Sequence, residues 1–82
     1  MTGNPDQTLY LQRVDGERNM ARFYVLALQP TLFGEVSLIR NWGRIGTDGQ
    51  TKVETFQTGK DVTAAYSRIE RSKRRRGYAE PG

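Results

Sequence analysis

Trp42 and Arg44 are the two residues of this chain whose types and spacing best suit the binding of a ligand. Trp42 is the single tryptophan of the sequence, and Arg44 follows it after one glycine, Gly43. Side chains at positions i and i+2 of an extended strand point to the same face, so the two would stand side by side. An indole stacks on a sugar or base, and a guanidinium makes paired hydrogen bonds to phosphate oxygens. The alternative is a core role for Trp42, because tryptophans are usually largely buried.

Positive charge is concentrated near the end of the chain. The formal net charge is +4, and residues 60–76 carry seven cations against two acids, so the rest of the chain nets −1. A basic segment on a nearly neutral body favours a polyanionic partner. The alternative is a solvated helix end whose cations complement the helix dipole. The run of cations is denser than the dipole requires, and it consists of Lys73, Arg74, Arg75 and Arg76.

The composition argues against catalysis and metal binding. The sequence has no histidine and no cysteine, which removes the commonest general base, the thiol nucleophile and the commonest metal ligands. We therefore predict no catalytic residue, no metal site and no cofactor. Without cysteines there are no disulfides, which fits a cytoplasmic protein. The polar N-terminus does not resemble a signal peptide, and no apolar run approaches the roughly 20 residues that span a bilayer. We expect a monomer that does not bind membranes.

The pattern of apolar residues predicts an α+β fold. Strands are expected over residues 8–14, 20–29, 35–44 and 50–57, and a helix from an N-cap at Thr58 to about Arg75. This order implies an antiparallel sheet of about four strands with one C-terminal helix packed on one face. We predict one domain over residues 8–78, a flexible N-terminal tail over residues 1–7, and a C-terminal tail over residues 79–82.

Several local features of this fold are also predicted. Leu32 and Phe33 are expected to tuck under the sheet after Pro30 ends the second strand. Gly43 indicates either a β-bulge or a close backbone approach, so the face on which Trp42 lies stays open. Asp48 and Gly49 form a hairpin signal. At the other end of the chain, Gly77 is expected to stop the helix, and Tyr78 to fold back on the core.

The segment around Trp42, Gly43 and Arg44 resembles the WGR domain, which is named for this triplet. The resemblance extends over residues 9–78. Upstream it includes the stretch 19–24, and downstream Gly49-Gln50, Phe56, two alanines at 64 and 65, and the closing stretch 73–78. A triplet alone would be weak support, but the triplet with its spaced flanks is specific. We identify the chain as a stand-alone, bacterial-type member.

The resemblance implies a role at DNA. WGR domains occur in DNA-damage-responsive poly(ADP-ribose) polymerases and in bacterial proteins associated with a molybdate-metabolism regulator. In the polymerases the domain lies at a DNA end, where the tryptophan matching Trp42 packs on the terminal sugar. The arginine matching Arg44 contacts the backbone and neighbouring domains. The 82 residues do not include the polymerases' catalytic segment, so ADP-ribosyl transfer is not implied.

Together these features predict a non-catalytic module that contacts the backbone of duplex DNA independently of sequence, at ends or nicks. RNA stays open as a ligand. The alternative is a protein-interaction module that binds an acidic partner through the Trp/Arg surface, with Trp42 and Tyr24 as aromatic anchors. The candidate nucleic-acid-binding residues are Trp42, Gly43, Arg44, Arg40, Lys73, Arg74, Arg75 and Arg76.

Overall fold

The computed structural model describes residues 8–82, which form a four-stranded antiparallel sheet with one helix. A short 3-10 turn joins the first two strands, and the strands lie side by side in chain order. This arrangement confirms the predicted α+β fold. The predicted tail over residues 1–7 lies outside the described residues. The elements are β1 (Thr8–Asp15), β2 (Met20–Pro30), β3 (Val36–Arg44), β4 (Gln50–Phe56) and α1 (Gly59–Arg75).

The core lies between α1 and one face of the sheet. Leu26 of β2 and Leu38 of β3 are fully buried there, and Val62 and Tyr66 of α1 pack against them. These positions follow the strand period of two and the helical spacing of three and four residues. The core is therefore small, as expected for a domain of this length. Within residues 8–82, no helix has the length and the apolar character that a membrane-spanning helix requires.

Both ends of α1 are capped by the residues that the sequence indicates. The Thr58 hydroxyl accepts a hydrogen bond of 3.1 Å from the backbone N–H of Asp61. At the C-terminus, Gly77 has a φ of +98°, and the N–H of Tyr78 donates to the carbonyl of Lys73 at 3.1 Å. This Schellman arrangement turns the chain back across the sheet, and the ring of Tyr78 packs against the core as predicted.

The segment after α1 is bonded to the outer edge of β1. Ala79 and Gln12 exchange two backbone hydrogen bonds, of 2.8 and 2.9 Å. The predicted C-terminal tail therefore begins with a residue that is anchored to the sheet. This bridge matters for the site below, because it holds Tyr78 over the end of the sheet.

The loop between β2 and β3 differs from the prediction. Leu32 and Phe33 are 97% and 86% exposed, so the expectation that they tuck under the sheet is wrong. The reason is that β2 continues through Pro30, which lies opposite Val36 at the edge of the pairing. The turn therefore forms beyond the end of the sheet and projects from it.

The predicted bulge at Gly43 is also wrong, whereas the alternative of a close backbone approach is confirmed. The pairing of β2 with β3 runs without interruption through Gly43. A Cβ atom at Gly43 would lie 2.8 Å from the Cα of Gly49, and one at Gly49 would collide with the carbonyl of Trp42. Because no residue is inserted, the parity of β3 is preserved, and Trp42 faces the side of the sheet that carries α1.

Candidate functional site

Cross-strand pairing brings aromatic and basic residues together at one end of the sheet. Tyr24 of β2 lies directly opposite Trp42 of β3, and Arg22 lies opposite Arg44. Opposed residues of an antiparallel pair project to the same face. All four side chains therefore lie on the face that carries α1, close to the C-terminal end of that helix.

Trp42 is half-buried and has one ring face against Tyr24. The two ring centroids are 5.9 Å apart and the ring planes differ by 17°, which is a stacked arrangement. Such pairs contribute about 0.5–1.5 kcal/mol beyond the area they bury. Trp42 also packs against the edge of the core. Trp42 therefore combines the core role and the ligand-binding role between which the sequence did not decide. It packs against the core, and it is also accessible at the cavity described below.

Three arginines form a row across the sheet next to this aromatic pair. Arg13 of β1 lies opposite Arg22 of β2, which in turn lies opposite Arg44 of β3. Within residues 8–82, no carboxylate lies within ion-pair distance of any of the three. Among residues 8–82, the one polar contact of the Arg44 guanidinium is a hydrogen bond of 3.4 Å to the carbonyl of Asn19. Like charges directly opposite one another destabilise a sheet, so this arginine row has an electrostatic cost in the free protein.

The end of α1 adds two cations and a third aromatic ring. The Nζ atom of Lys73 lies 4.5 Å from the ring centroid of Tyr24 and 5.8 Å from that of Tyr78. Tyr78 meets Tyr24 edge to face, with ring centroids 6.2 Å apart. Partial burial lowers the pKa of the Lys73 ammonium, and the nearby Arg76 and Arg40 lower that pKa further. Lys73 is therefore held by two aromatic rings in a region of strong positive potential.

These residues line a cavity of about 530 Å³ that is open to solvent, which we call the aromatic cavity. Its volume lies within the range of small-molecule sites. The described part of the chain contributes no carboxylate to its lining. Anionic groups fit such a surface, with a flat apolar group stacked beside them. The lining residues are Arg13, Arg22, Tyr24, Trp42, Gly43, Arg44, Lys73, Arg76 and Tyr78.

Most of the predicted site residues meet in this cavity. Those that do are Trp42, Gly43, Arg44, Lys73 and Arg76.

The other three predicted residues lie elsewhere. Arg40 lines a neighbouring hollow. Arg74 is bonded to two carboxylates, those of Glu70 at 3.0 Å and Glu80 at 3.5 Å. Its charge is therefore partly neutralised within the domain. Arg75 is exposed and lines neither hollow.

Two lining arginines and Tyr78 were not among the predicted site residues. Arg13 and Arg22 are isolated in the sequence, and only the strand register brings them beside Arg44. The available signal was parity, because Arg22 lies two residues from Tyr24 and therefore shares its face in an extended strand. The sequence predicts for Tyr24 only the role of an anchor for a protein partner.

Comparison with known proteins agrees with the triplet at the centre of this site. A family model described as the WGR domain matches residues 7–82. The uncharacterized protein y4dW of Sinorhizobium fredii is 47% identical over 70 residues, which cover 85% of this chain and 34% of that protein. The chain thus spans about a third of the length of this relative. No solved structure matches the chain. WGR domains are nucleic-acid-binding modules. Because the family model matches nearly all residues of this chain, the chain belongs to the WGR domain family.

Proposed function

We propose that this domain binds duplex DNA without catalysing a reaction, through contacts to the sugar–phosphate backbone at an end or a nick. The observation that carries the proposal is the convergence of five cations on an aromatic cavity whose described lining includes no carboxylate. Nucleic acids are the polyanions that combine closely spaced phosphates with flat rings and sugars, and the role of other WGR domains at DNA ends favours DNA among them. Binding would release counterions and would depend strongly on salt.

The arginine row supports this proposal independently of the aromatic residues. Arg13, Arg22 and Arg44 are opposed in register, an arrangement that sheets ordinarily avoid. A phosphate bound among the three guanidinium groups would remove their mutual repulsion. The fold therefore keeps an unfavourable arrangement that an anionic ligand would relieve.

In this proposal Trp42 packs against the sugar or base at the interruption of the duplex. One face of its ring is already supported by Tyr24, at a centroid distance of 5.9 Å. A ring fixed in this way loses little side-chain entropy on binding, so stacking on it is more favourable. A continuous duplex offers no exposed terminal sugar or base, so the proposal favours ends and nicks.

The test is a fluorescence-anisotropy titration of a short, blunt, labelled duplex at several salt concentrations. Linear and closed-circular DNA of equal mass serve as competitors. We expect saturable binding, a steep dependence on salt, and better competition by linear DNA.

Equal competition by the two DNA forms would contradict the preference for ends. Absence of binding at low salt would overturn the proposal and favour the protein-interaction alternative. In that case Trp42 and Tyr24 would serve as aromatic anchors for an acidic protein.

A further inference from the structure

A second, smaller hollow lies beside the aromatic cavity, between α1 and β3. Its volume is about 330 Å³. Three of its lining residues, Tyr24, Lys73 and Arg76, also line the aromatic cavity. The two hollows are therefore adjacent, and we call the second one the side groove. Its remaining lining residues are Arg40, Arg68, Ile69 and Ser72.

The side groove has its own positive charge. Arg40 lies two residues before Trp42 on the same face of β3, and Arg68 projects into the groove from α1. Glu54 is the acid near Arg40, but the two charged groups are 3.7 Å apart and Glu54 is half exposed. That distance is longer than in a charge-assisted hydrogen bond. The exposure of Glu54 to solvent also screens the pair, although the Arg40 side chain is only 21% exposed. Among the described residues, Arg68 has no carboxylate partner.

Positive charge also continues from one hollow into the other. Lys73 lines both hollows, and its ammonium is repelled by Arg76 and Arg40, which lower its pKa. Arg76 also lines both hollows, and Arg40 lines the side groove. An anionic chain leaving the aromatic cavity would therefore stay in contact with cations along this route. The outer wall of the groove, formed by Arg68, Ile69 and Ser72, is one side of α1.

The size of the side groove selects the form of nucleic acid. Its volume is at the lower end of the range for small-molecule sites, enough for about one nucleotide. A single strand can enter a groove between a helix and a sheet strand, whereas a duplex is too wide to do so. This distinguishes the groove from a surface that attracts any duplex.

We propose that the side groove holds a single-stranded extension of a DNA end whose duplex part lies at the aromatic cavity. The inference rests on the proposed function, and it specifies the substrate class as a duplex with a short overhang. The overhang phosphates lie between Arg40 and Arg68, and Trp42 marks the junction of duplex and single strand.

The test compares three labelled duplexes of the same sequence by anisotropy at one salt concentration: blunt, with a short 5′ overhang, and with a short 3′ overhang. One overhang is expected to bind about tenfold more tightly than the blunt duplex, which is the effect of one charge-assisted contact. Arg40→Gln and Arg68→Gln should each remove most of this preference, and Arg68→Gln should change the affinity for the blunt duplex little.

Lys60→Gln is the matched control, because it removes one positive charge from the exposed start of α1, away from both hollows. It should keep the preference for the overhang. Circular dichroism establishes that each variant is folded, and the exposed Arg68 provides a test even if Arg40→Gln unfolds the domain. Equal affinity for all three duplexes would overturn the side-groove inference and leave the proposed function standing. A preference that survives in both arginine variants would overturn it as well, whereas failure of every duplex to bind would overturn the proposed function itself.

Discussion

At the scale of single residues, Trp42 has two functions that can be separated by substitution. Its ring packs on Tyr24 and on the edge of the core, and it also lines the aromatic cavity. A side chain buried only in part contributes less to stability than one in the centre of the core. The loss of Trp42 should therefore weaken binding while the domain stays folded.

We predict that Trp42→Ala lowers the free energy of unfolding by about 1–3 kcal/mol, less than a fully buried tryptophan would. It should weaken binding to a duplex end by about 1–3 kcal/mol through lost stacking. Trp42→Phe is the control, because it keeps a ring on Tyr24. It should retain part of the stability and part of the affinity for a duplex end. Denaturant unfolding and anisotropy titration measure the two quantities. An alanine variant that is folded but binds DNA ends normally would show that Trp42 does not contact the ligand.

Lys73 provides a second prediction at this scale, because its environment disfavours its charged form. Burial is the main cause of its lowered pKa, followed by repulsion from Arg76 and Arg40. In the pH range just below the ordinary lysine value of 10.5, the unfolded chain thus binds more protons than the folded one. Stability should therefore rise with pH through the folded pKa, and the gain should be complete at the unfolded pKa.

Lys73→Arg is the comparison for this prediction, because an arginine does not titrate in this range. The difference in unfolding free energy between the wild type and Lys73→Arg, measured against pH, should increase in favour of the wild type just below pH 10.5. A difference that is constant over this range would show that Lys73 titrates in the folded protein as it does in the unfolded chain.

At the scale of elements, the arginine row lowers the stability of the free sheet and strengthens the binding of an anionic ligand. Each member is opposed by another cation across a strand pair. Removing the central charge relieves two repulsive pairs. Cross-strand pairs contribute roughly 0.2–1 kcal/mol each.

We predict that Arg22→Gln raises the free energy of unfolding by up to about 1 kcal/mol and weakens DNA binding. It should also reduce the slope of log Kd against log salt by about one, since one phosphate contact is lost. Lys60→Gln removes an equal charge outside the cavity and should leave the slope nearly unchanged. Equal effects of the two substitutions on the slope would mean that net charge alone governs binding.

Gly49, in the hairpin between β3 and β4, packs against the backbone of Trp42 and so fixes its position. Gly49 has a φ of +72°, and the carbonyl of Trp42 occupies the place where its Cβ would be. Gly49→Ala should therefore lower the free energy of unfolding by at least about 1 kcal/mol and weaken binding by displacing Trp42. Gly59→Ala is the control, because a Cβ there meets open space. Thermal melting of both variants checks the prediction, and equal melting temperatures would contradict it.

The elements were largely predictable from sequence, and their detailed arrangement was not. Periodicity and capping residues identify four strands and a helix whose observed range is Gly59–Arg75, because those signals are local. The predicted burial of Leu32 and Phe33 is wrong, because apolar character indicates burial only if the chain returns to the core. Here the turn projects away from the core. The arginine row was missed because it depends on register across three strands, which no local pattern shows.

At the scale of the whole molecule, the site is assembled from distant parts of the chain. Arg13 comes from the first strand and Tyr78 from beyond the helix, and the backbone bridge between Gln12 and Ala79 joins these two regions. The C-terminal residues therefore close one side of the cavity. The charge near the C-terminus is partly used within the domain, because Arg74 is bonded to two acids.

The intrinsic fluorescence of Trp42 tests most directly whether DNA binds at the aromatic cavity. This residue is the only tryptophan of the chain, so selective excitation reports on that position alone. Unlabelled duplex with free ends, titrated with correction for absorbance, should change the emission saturably, with the same Kd that anisotropy gives. Binding that anisotropy detects without any change in the emission of Trp42 would mean that the DNA lies elsewhere on the domain and not at the aromatic cavity.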